Sequence, residues 1–517
     1  MGAKRWGMLL TGAAGLVGVL CAPGCTSEPV VCAVDAEKVR NAFEKKGPRE
    51  GLLGCPPMGS AGSGGTISPA CLPSNNEAPV DDACGIFASN AGDDTNEGTK
   101  EQPVKTLTRA LELAEENHLP VYACAETFEQ EPTGLIVKEG MRIFGGLDCN
   151  AEAPNTWAYT TEKHTEIGAP ADHVPVRLRK GVGIELHDLH IQARAATTPG
   201  KSSIGIIADE VTARLERLRI QTQDGAKGED GAPFPDAAAA GSVGTPGTAA
   251  CSANQPAGGI GPSNNCSSGG DGGNGSTIAG GNGASGLPDD GSPNHGAGED
   301  TLAPCTHGLD GKQGMPGASG ASGEGPGTLS PADGYIGVSG ENGAPGSHGR
   351  GGGGGGGTRS FINGANQCPG GTNSGASGGS GASGGCGGAG GIGGQYGGSS
   401  IGVVSIRSTL TFVDSTIRTG NGAAPGFGGN GQSGGLGGTA GGLGGASSGS
   451  VKAGCKGGRG GSGGAGGKGS TGVGGHSIGI AHLPPEDMQM PSGISDSDIQ
   501  VGGHGLGAEA TPIKIFK

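Results

Sequence analysis

Four charged residues occupy one position of a repeated pattern and could form a site for calcium or acid–base chemistry. Asp188, Arg217, Asp414 and Asp496 stand at the sixth position after the opening residue of a unit that recurs along the chain. If the units stack, carboxylates that can bind Ca²⁺ would lie beside a basic group that can remove a proton. A solvated turn at one corner of the stack explains the same column, and this is the interpretation we favour.

A second acidic cluster lies nearer the amino terminus. Asp93, Asp94 and Glu97 fall within the polar segment Asn90–Thr99, between a short apolar run and a helical pattern. Calcium is one possible ligand of such a cluster. The surrounding Gly, Asn and Thr residues favour a turn that needs no metal.

Two segments match the G-x-S-x-G pattern of hydrolase nucleophiles, Gly398–Gly402 and Gly475–Gly479. Neither lies between a strand pattern and a helix pattern, which that chemistry requires. The equivalent segment Lys201–Gly205 lacks the first glycine. We therefore attribute the matches to composition and predict no catalytic residue and no cofactor, with calcium as the one alternative.

The first residues have the pattern of an export signal. Lys4 and Arg5 precede an apolar run over residues 6–20, which is too short to span a bilayer but typical of a signal-peptide core. The following Ala22–Cys25 resembles a bacterial lipoprotein box, so we predict that Cys25 carries a lipid. An ordinary cleaved signal is the alternative. The expected location is the cell envelope, at the outer membrane or cell surface, with the lipid as membrane anchor.

The remaining cysteines agree with export. Once Cys21 leaves with the signal and Cys25 takes the lipid, twelve are left: Cys32, Cys55, Cys71, Cys84, Cys124, Cys149, Cys251, Cys266, Cys305, Cys368, Cys386 and Cys455. An even number in an exported chain indicates disulfides. No pair has C-x-x-C spacing, so zinc ribbons and thioredoxin-like sites lack support.

Composition limits the architecture. Glycine accounts for 119 of 517 residues, and aromatic residues make up only 3%. Such a chain cannot bury enough apolar surface for several ordinary cores. The formal charge of −15 argues against a nucleic-acid partner.

The repeat predicts the fold. Val182, Leu186, Leu189 and Ile191 return as Val211, Leu215, Leu218 and Ile220, with partial copies at Phe412 and Ile417 and at Ile494 and Ile499. Each unit holds short strands that cannot bury their apolar face alone, so stacked units should share a ladder of aliphatic side chains. The sequence therefore predicts an all-β protein, a right-handed parallel β-helix.

Two glycine-rich tracts, 226–398 and 423–475, interrupt the repeat. Both begin where a coil ends, so we interpret them as very long loops inserted at one corner of the solenoid. A collagen triple helix is disfavoured because the Gly-x-y frame breaks within a few triplets. Two alternatives stay open: flexible disorder, and extended polyproline-II-like segments packed side by side, which the cysteines in the tracts favour.

Two stretches resemble known proteins. The segment from Gly85–Phe87 through Gly92–Thr99 to Pro103–Ala110 resembles the N-terminal cap, including a cap helix, of right-handed parallel β-helix proteins of the pectate-lyase-like superfamily. The continuation through Val121–Cys124, Ile143–Cys149 and Trp157 resembles the glycine-rich, PE-PGRS-like surface lipoproteins of myxobacteria. The second resemblance implies that Cys124 pairs with Cys149. The first raises polysaccharide cleavage as an activity.

We thus predict the following organisation: signal peptide 1–24, tether 25–80, capped β-helix 81–225, glycine-rich insertion 226–398, one coil 399–422, glycine-rich insertion 423–475 and terminal coils 476–517. The expected role is non-enzymatic, structural or adhesive, in envelope, matrix or cell–cell contact. Its partner would be a polysaccharide or a surface protein. The alternative is a carbohydrate-active β-helix, acting as a polysaccharide lyase, a glycoside hydrolase or a glycan binder.

Overall fold

The structure, a computed structural model, describes residues 68–75, 79–152, 156–369, 373–486 and 489–516. The predicted signal, Cys25, Cys32 and Cys55 lie outside the described residues. The sequence placed the start of the body at residue 81, whereas the packed unit begins at Ser68. The earlier start follows from a disulfide between Cys71 and Cys84 and from the Tyr122 hydroxyl, which donates a hydrogen bond to the Cys71 carbonyl.

Short strands dominate the described chain outside the glycine tracts. In chain order they are Ile86–Ala88 (β1), Val121–Cys124 (β2), Thr127–Glu129 (β3), Leu135–Val137 (β4), Arg142–Asp148 (β5), Ala158–Tyr159 (β6), Thr165–Gly168 (β7), Val176–His187 (β8), Leu189–Ala193 (β9), Ser203–Glu216 (β10), Arg219–Thr222 (β11), Thr328–Ser330 (β12), Gly334–Ile336 (β13), Phe361–Ile362 (β14), Ala365–Asn366 (β15), Ser400–Ile406 (β16), Thr409–Val413 (β17), Thr416–Arg418 (β18), Ser477–Leu483 (β19), Ile499–Gln500 (β20) and Ala510–Ile515 (β21).

These strands wind into a parallel β-helix with three faces, which confirms the predicted fold class. Face a contains β4, the first halves of β8 and β10, and then β16, β19 and β21. Face b contains β1, β2, β5, the second halves of β8 and β10, and β17. Face c contains β3, β7, β9, β11, β18 and β20. The two-stranded sheets β12–β13 and β14–β15 lie within the first glycine tract.

The interior holds one aliphatic spine. Ile191, Ile220, Ile417 and Ile499 are direct register partners on successive strands of face c, and all four are buried. Parallel strands lie about 4.8 Å apart, so each side chain packs on the one from the previous coil. The spine that the repeat predicts is confirmed.

The repeat alignment was wrong at two places. Val182 was equated with Val211, but Val211 pairs with Gly181, and a bulge leaves Val182 exposed. Ile494 was equated with Phe412, but the Phe412 N–H bonds to the carbonyl of Ser492. In the last coil, a single bridge between Thr411 and Ser492 and the 3-10 turn Asp496–Asp498 replace the face b strand. The residues of this coil are therefore shifted in register relative to those of the other coils.

Helix α1, Leu107–Asn117, caps the amino-terminal end of the solenoid. It begins where the Thr106 hydroxyl accepts a hydrogen bond from the Arg109 N–H and ends at His118 in the left-handed conformation. Leu107, Ala110, Leu111 and Ala114 are buried against the first coils, as their spacing predicts.

Both glycine tracts leave the solenoid after face c and return to face a. The first tract runs from β11 to β16 and the second from β18 to β19. They contain six long segments without strand or helix hydrogen bonding, at 225–250 (I), 306–323 (II), 338–358 (III), 374–398 (IV), 421–446 (V) and 454–475 (VI). Four shorter segments lie at 256–262, 268–276, 280–287 and 294–300.

The six segments have the three-residue repeat of a polyproline II helix. In segment II, the N–H groups of every third residue from Gly308 to Gly323 donate to carbonyls of segment VI from Lys456 to Thr471. A polyproline II helix has three residues per turn and no internal hydrogen bonds, so its backbone must bond to neighbours. Of the two open alternatives, the ordered one is what the structure shows.

Segments III and IV form the centre of this bundle. Segment IV exchanges backbone hydrogen bonds with segments I, III, V and VI and with two short segments, so it has six neighbours. Segment III likewise has six neighbours: II, IV, VI and three short segments. Only glycine allows backbones to approach this closely: a Cβ added to Gly381 would lie 1.8 Å from the Gly352 carbonyl oxygen.

Three disulfides tie the bundle together. Cys251–Cys368 and Cys266–Cys386 lie within the first tract, and Cys305–Cys455 joins the first tract to the second. Since the bundle buries little apolar surface, these cross-links take over part of the role that a hydrophobic core has elsewhere.

Candidate functional site

The corner between faces b and c carries most of the charged column. Asp188, Arg217 and Asp414 have φ values of 58°, 52° and 47°, in the left-handed region. This conformation turns the chain sharply, and the N–H groups of Asp188 and Arg217 still donate to carbonyls of the next coil. Three members of the column are therefore stacked on successive coils, as the repeat predicts.

Asp188 and Arg217 neutralise each other. The guanidinium Nε and Nη2 atoms each lie 2.7 Å from an oxygen of the Asp188 carboxylate. This bidentate contact with Asp188 raises the pKa of Arg217, so the residue stays protonated. The Tyr159 hydroxyl donates a hydrogen bond of 2.7 Å to the same carboxylate. Burial and then Asp188 raise the pKa of Tyr159.

The fourth member of the column lies apart from the other three. Asp188, Arg217 and Asp414 line a polar groove on the protein surface, and Asp496 does not. Asp496 lies on the 3-10 turn Asp496–Asp498, which replaces a strand of the last coil. The groove wall there is formed by Ser497 and Asp498 instead. The calcium cluster suggested by four stacked residues is thus not assembled in the described part of the chain.

A polar groove follows the column onto the outer surface of face c. It consists of two adjoining depressions of about 300 and 360 Å³, which share His190, Arg219 and Thr416. Tyr159 and His164 form one end, because β6 folds back antiparallel on β5 beside the corner. Arg418 and Gln500 lie towards the other end.

The groove floor is made of two rows of outward side chains in register. His190, Arg219 and Thr416 follow one another on β9, β11 and β18. Gln192, Gln221, Arg418 and Gln500 form the second row, of which the last three line the groove. Successive members lie one coil apart, about 4.8 Å. The floor therefore offers a ladder of amide, imidazole and guanidinium groups to an extended ligand.

Two guanidinium groups in the groove have no carboxylate partner. Among the described residues, Arg219 and Arg418 make no ion pair: Arg219 donates to His164 Nε2 at 3.1 Å and Arg418 to Gln500 Oε1 at 3.1 Å. Burial and then the nearby Arg219 lower the pKa of His164, so its ring is neutral at neutral pH. The groove therefore presents two guanidinium groups free of a carboxylate partner, although Asp414 and Asp498 also line it.

The other candidate residues serve the fold. Asp93 accepts hydrogen bonds from the N–H and hydroxyl of Thr95, and Asp94 accepts from the N–H groups of Lys105 and Thr106 before α1. In the described chain, the donor atoms of Asp93, Asp94 and Glu97 do not converge as metal ligands; the group with converging donor atoms is Cys124, Glu126 and Cys149. A disulfide joins those two cysteines, as the resemblance implies, so their sulfurs are not available as thiolates.

The serines of the G-x-S-x-G matches belong to a hydrogen-bonded ladder at the corner between faces c and a. Ser400 Oγ bonds to Thr222 Oγ1 at 2.7 Å, and Ser477 Oγ bonds to Thr419 Oγ1 at 2.8 Å. Both serines are buried. Their hydroxyls hold consecutive coils together and have no free path to a substrate.

Binding suits this arrangement better than acid–base chemistry. A base must be able to lose its proton near the operating pH, and Arg217 is held protonated by Asp188. Arg219, Arg418 and the glutamine ladder can instead bind anionic or hydroxyl-rich groups through charge-assisted hydrogen bonds.

Sequence reasoning missed most of the groove. Arg219 follows the repeat position of Leu218, and Arg418 follows Ile417, so both point outward by strand alternation. Strand alternation within the repeat is the signal that identifies these two residues. Tyr159 and His164 lie outside the repeat, and no spacing in the sequence connects them with the corner.

Comparison with known proteins supports the fold alone. A family model described as a protein of unknown function (DUF1565), a family associated with parallel β-helix proteins, matches residues 90–158. This stretch runs from the turn before α1 to β6. Neither the curated proteins nor the solved structures gave a match. No helix in the described residues has the length and apolarity needed to cross a membrane.

Proposed function

We propose that the protein is an exported, lipid-anchored surface protein with a non-enzymatic, structural or adhesive role in envelope, matrix or cell–cell contact. Its glycine-rich tracts support placing it with the PE-PGRS-like surface lipoproteins of myxobacteria that it resembles. The observation that carries the proposal is the set of five disulfides in the described chain. Disulfides of this kind form and persist in oxidising compartments.

The cross-linked bundle and the solenoid together suit a role in display and contact. The bundle exposes one or two side chains per turn of its outer segments, so its surface can vary without disturbing the glycine contacts inside. Its backbone hydrogen bonds and disulfides are suited to persistence outside the cell. An adhesive surface needs this persistence more than it needs a catalytic cavity.

The proposal is tested on the native organism's envelope. Mass spectrometry should find acyl chains on Cys25, and Cys25→Ala should release the protein from the membrane fraction. Cys21→Ala is the matched control and should leave anchoring intact. Cells with the wild-type protein should aggregate or attach to matrix more strongly than cells without it. An unacylated wild-type protein would refute the lipid anchor. Equal attachment by the two strains would refute the adhesive role.

A second candidate function is glycan binding in the groove on face c. The unpaired guanidinium groups of Arg219 and Arg418 favour an acidic polysaccharide. A glycan array should show binding that Arg219→Gln/Arg418→Gln weakens at least tenfold, while Arg179→Gln/Arg214→Gln on faces a and b has little effect. Release of unsaturated product from pectin-like polymers with calcium, followed near 235 nm, would instead establish a lyase.

A further inference from the structure

Segments V and VI present two neighbouring rows of side chains to solvent. Phe427, Leu436 and Leu443 of segment V are 61%, 70% and 72% exposed. The antiparallel segment VI lies directly beside them, bonded at intervals from Gly457–Gly442 to Gly472–Gly426. Its own outward positions, one or more turns apart, are Lys456, Arg459 and Lys468, all exposed. We call these two rows the V–VI face.

The V–VI face is cationic on an acidic protein. Segment V has no charged residue, and segment VI has three cations and no anion, whereas the whole chain has a formal charge of −15. None of the three cations makes an ion pair within the described residues. Lys452, which lies just before segment VI in the chain, differs from them because it pairs with Glu299.

The apolar character continues onto segment II on the other side of segment VI. Leu309 and Met315 are 62% and 74% exposed, and their carbonyls lie against Gly458 and Gly464 of segment VI. The cations of segment VI therefore lie between two rows that carry exposed apolar side chains, and the row on segment II also holds Lys312 and Asp310, whose carboxylate accepts the Arg459 N–H. The apolar side chains are largely exposed, so the packing between segments does not account for them; the Phe427 ring additionally lies 5.7 Å from Lys227 Nζ of segment I.

We propose that the V–VI face docks on a lipid bilayer that carries anionic headgroups, a contact that rests on the proposed envelope location and adds to the acyl anchor. The cations would approach the phosphate level, while Phe427, Leu436 and Leu443 would enter the interfacial region. Surfaces that combine apolar with basic residues bind bilayers in two ways, by burying apolar area in the interfacial region and by electrostatic attraction to anionic headgroups.

Other occupants fit less well. A second copy applied to the same face would place two rows of cations opposite each other, and neither segment V nor segment VI supplies an anion to pair with them. A soluble acidic polysaccharide would satisfy the cations but leave the aliphatic side chains in water. A bilayer surface accommodates both rows at once.

Vesicle binding of the full chain with Cys25→Ala, which lacks the acyl group, tests the proposal. Binding should be much stronger to phosphatidylcholine vesicles that contain phosphatidylglycerol than to phosphatidylcholine alone, and it should weaken with added salt. Each cation near an anionic surface contributes roughly fivefold in affinity, so Lys456→Gln/Arg459→Gln/Lys468→Gln should bind on the order of a hundredfold more weakly. Leu436→Ser/Leu443→Ser should also weaken binding.

Matched controls separate this face from general effects. Lys105→Gln/Lys138→Gln/Lys180→Gln removes the same charge from the solenoid, and Ile260→Ser/Ile278→Ser removes exposed apolar groups elsewhere in the first tract. Both variants should bind as the parent does. Equal binding to both vesicle types, or equal losses in the control and face variants, would overturn the proposal. So would a loss of self-association or of polygalacturonate binding in the face variants without a loss of vesicle binding. Because the assay uses unacylated protein, its failure leaves the separate test of Cys25 anchoring untouched.

Discussion

At the scale of single residues, Arg217 decides what the charged column can do. Its bidentate contact occupies the Asp188 carboxylate, which is then not free to bind a metal ion. The same contact keeps Arg217 protonated, so Arg217 cannot act as a base. The side chain of Asp188 is 9% exposed and that of Arg217 is 27% exposed, so solvent screens the pair only in part. A corner that looks catalytic in the sequence is thus held together by its own charges.

We predict that Arg217→Gln lowers the free energy of unfolding by about 2 kcal/mol, because it leaves a largely buried carboxylate without its cation. Arg219→Gln, two residues further along the same coil, removes a guanidinium that has no carboxylate partner and should cost less than about 0.5 kcal/mol. Urea unfolding followed by circular dichroism measures both. Equal costs for the two variants would show that the Asp188 contact contributes no stability.

His476 makes stability depend on pH. The side chain is buried, and burial followed by the nearby charge of Lys514 lowers its pKa to about 4. Its Nδ1 accepts the N–H of Glu509 at 3.1 Å, and its ring lies edge-on to Tyr335. The neutral ring therefore links the last coils of face a to the β12–β13 hairpin.

The unfolded chain binds a proton at His476 below about pH 6.5, whereas the folded chain resists protonation until about pH 4. The neutral His476 ring therefore makes its full contribution to stability above pH 6.5. Between pH 6.5 and about pH 4 the free energy of unfolding falls by about 1.4 kcal/mol for each pH unit. His476→Gln should flatten the fall in melting temperature between pH 7 and pH 4.5. The exposed His173→Gln should leave it unchanged. A parallel fall in all three proteins would assign the effect to other groups.

At the scale of elements, the sequence predicted the solenoid well because each strand has its own pattern. The aliphatic repeat that ends in Ile191 and Ile220 located the spine, and the i, i+3, i+4 spacing from Leu107 located α1. The groove was only partly predictable. Its strand residues follow from alternation, but Tyr159 and His164 reach it through a reversal of the chain after β5.

The pairing of glycine segments could not be predicted at all. Every segment has the same three-residue period and nearly the same residues, so no side-chain pattern distinguishes one partner from another. Cysteine pairs such as Cys266–Cys386 fix which segments are neighbours, and spacing does not reveal their connectivity.

Single methyl groups should therefore damage the centre of the bundle. Gly381→Ala places a Cβ 1.8 Å from the backbone oxygen of Gly352, so two segments must move apart. We expect a loss of about 3 kcal/mol or more and faster amide exchange in segments III and IV. Gly503→Ala meets only a side-chain oxygen of Asn421, at 3.2 Å, and should be tolerated. Equal behaviour of the two variants would contradict close packing at the centre.

At the scale of the whole molecule, the bundle is complete only when both insertions are present. Segments I to IV come from the first tract, but segment IV gains two of its six neighbours, V and VI, from the second. The chain forms coil β16–β18 between them, so the solenoid sets the distance at which the two tracts meet. Solenoid and bundle are therefore expected to depend on each other for order.

Cys305–Cys455 is the cross-link between the two tracts, and its removal tests this dependence. The cysteines are 150 residues apart, so Cys305→Ser/Cys455→Ser should cost about 5 kcal/mol by chain entropy and accelerate exchange in segments II and VI. The control Cys71→Ser/Cys84→Ser opens a link of only 13 residues and should cost about 3 kcal/mol with no change in the bundle. Hydrogen–deuterium exchange measured by mass spectrometry locates each effect.

Because ordered segments bond every third N–H to a neighbour, wild-type residues 226–398 should retain protected amides for minutes or longer. Complete exchange there within seconds would rule out the hydrogen-bonded bundle itself.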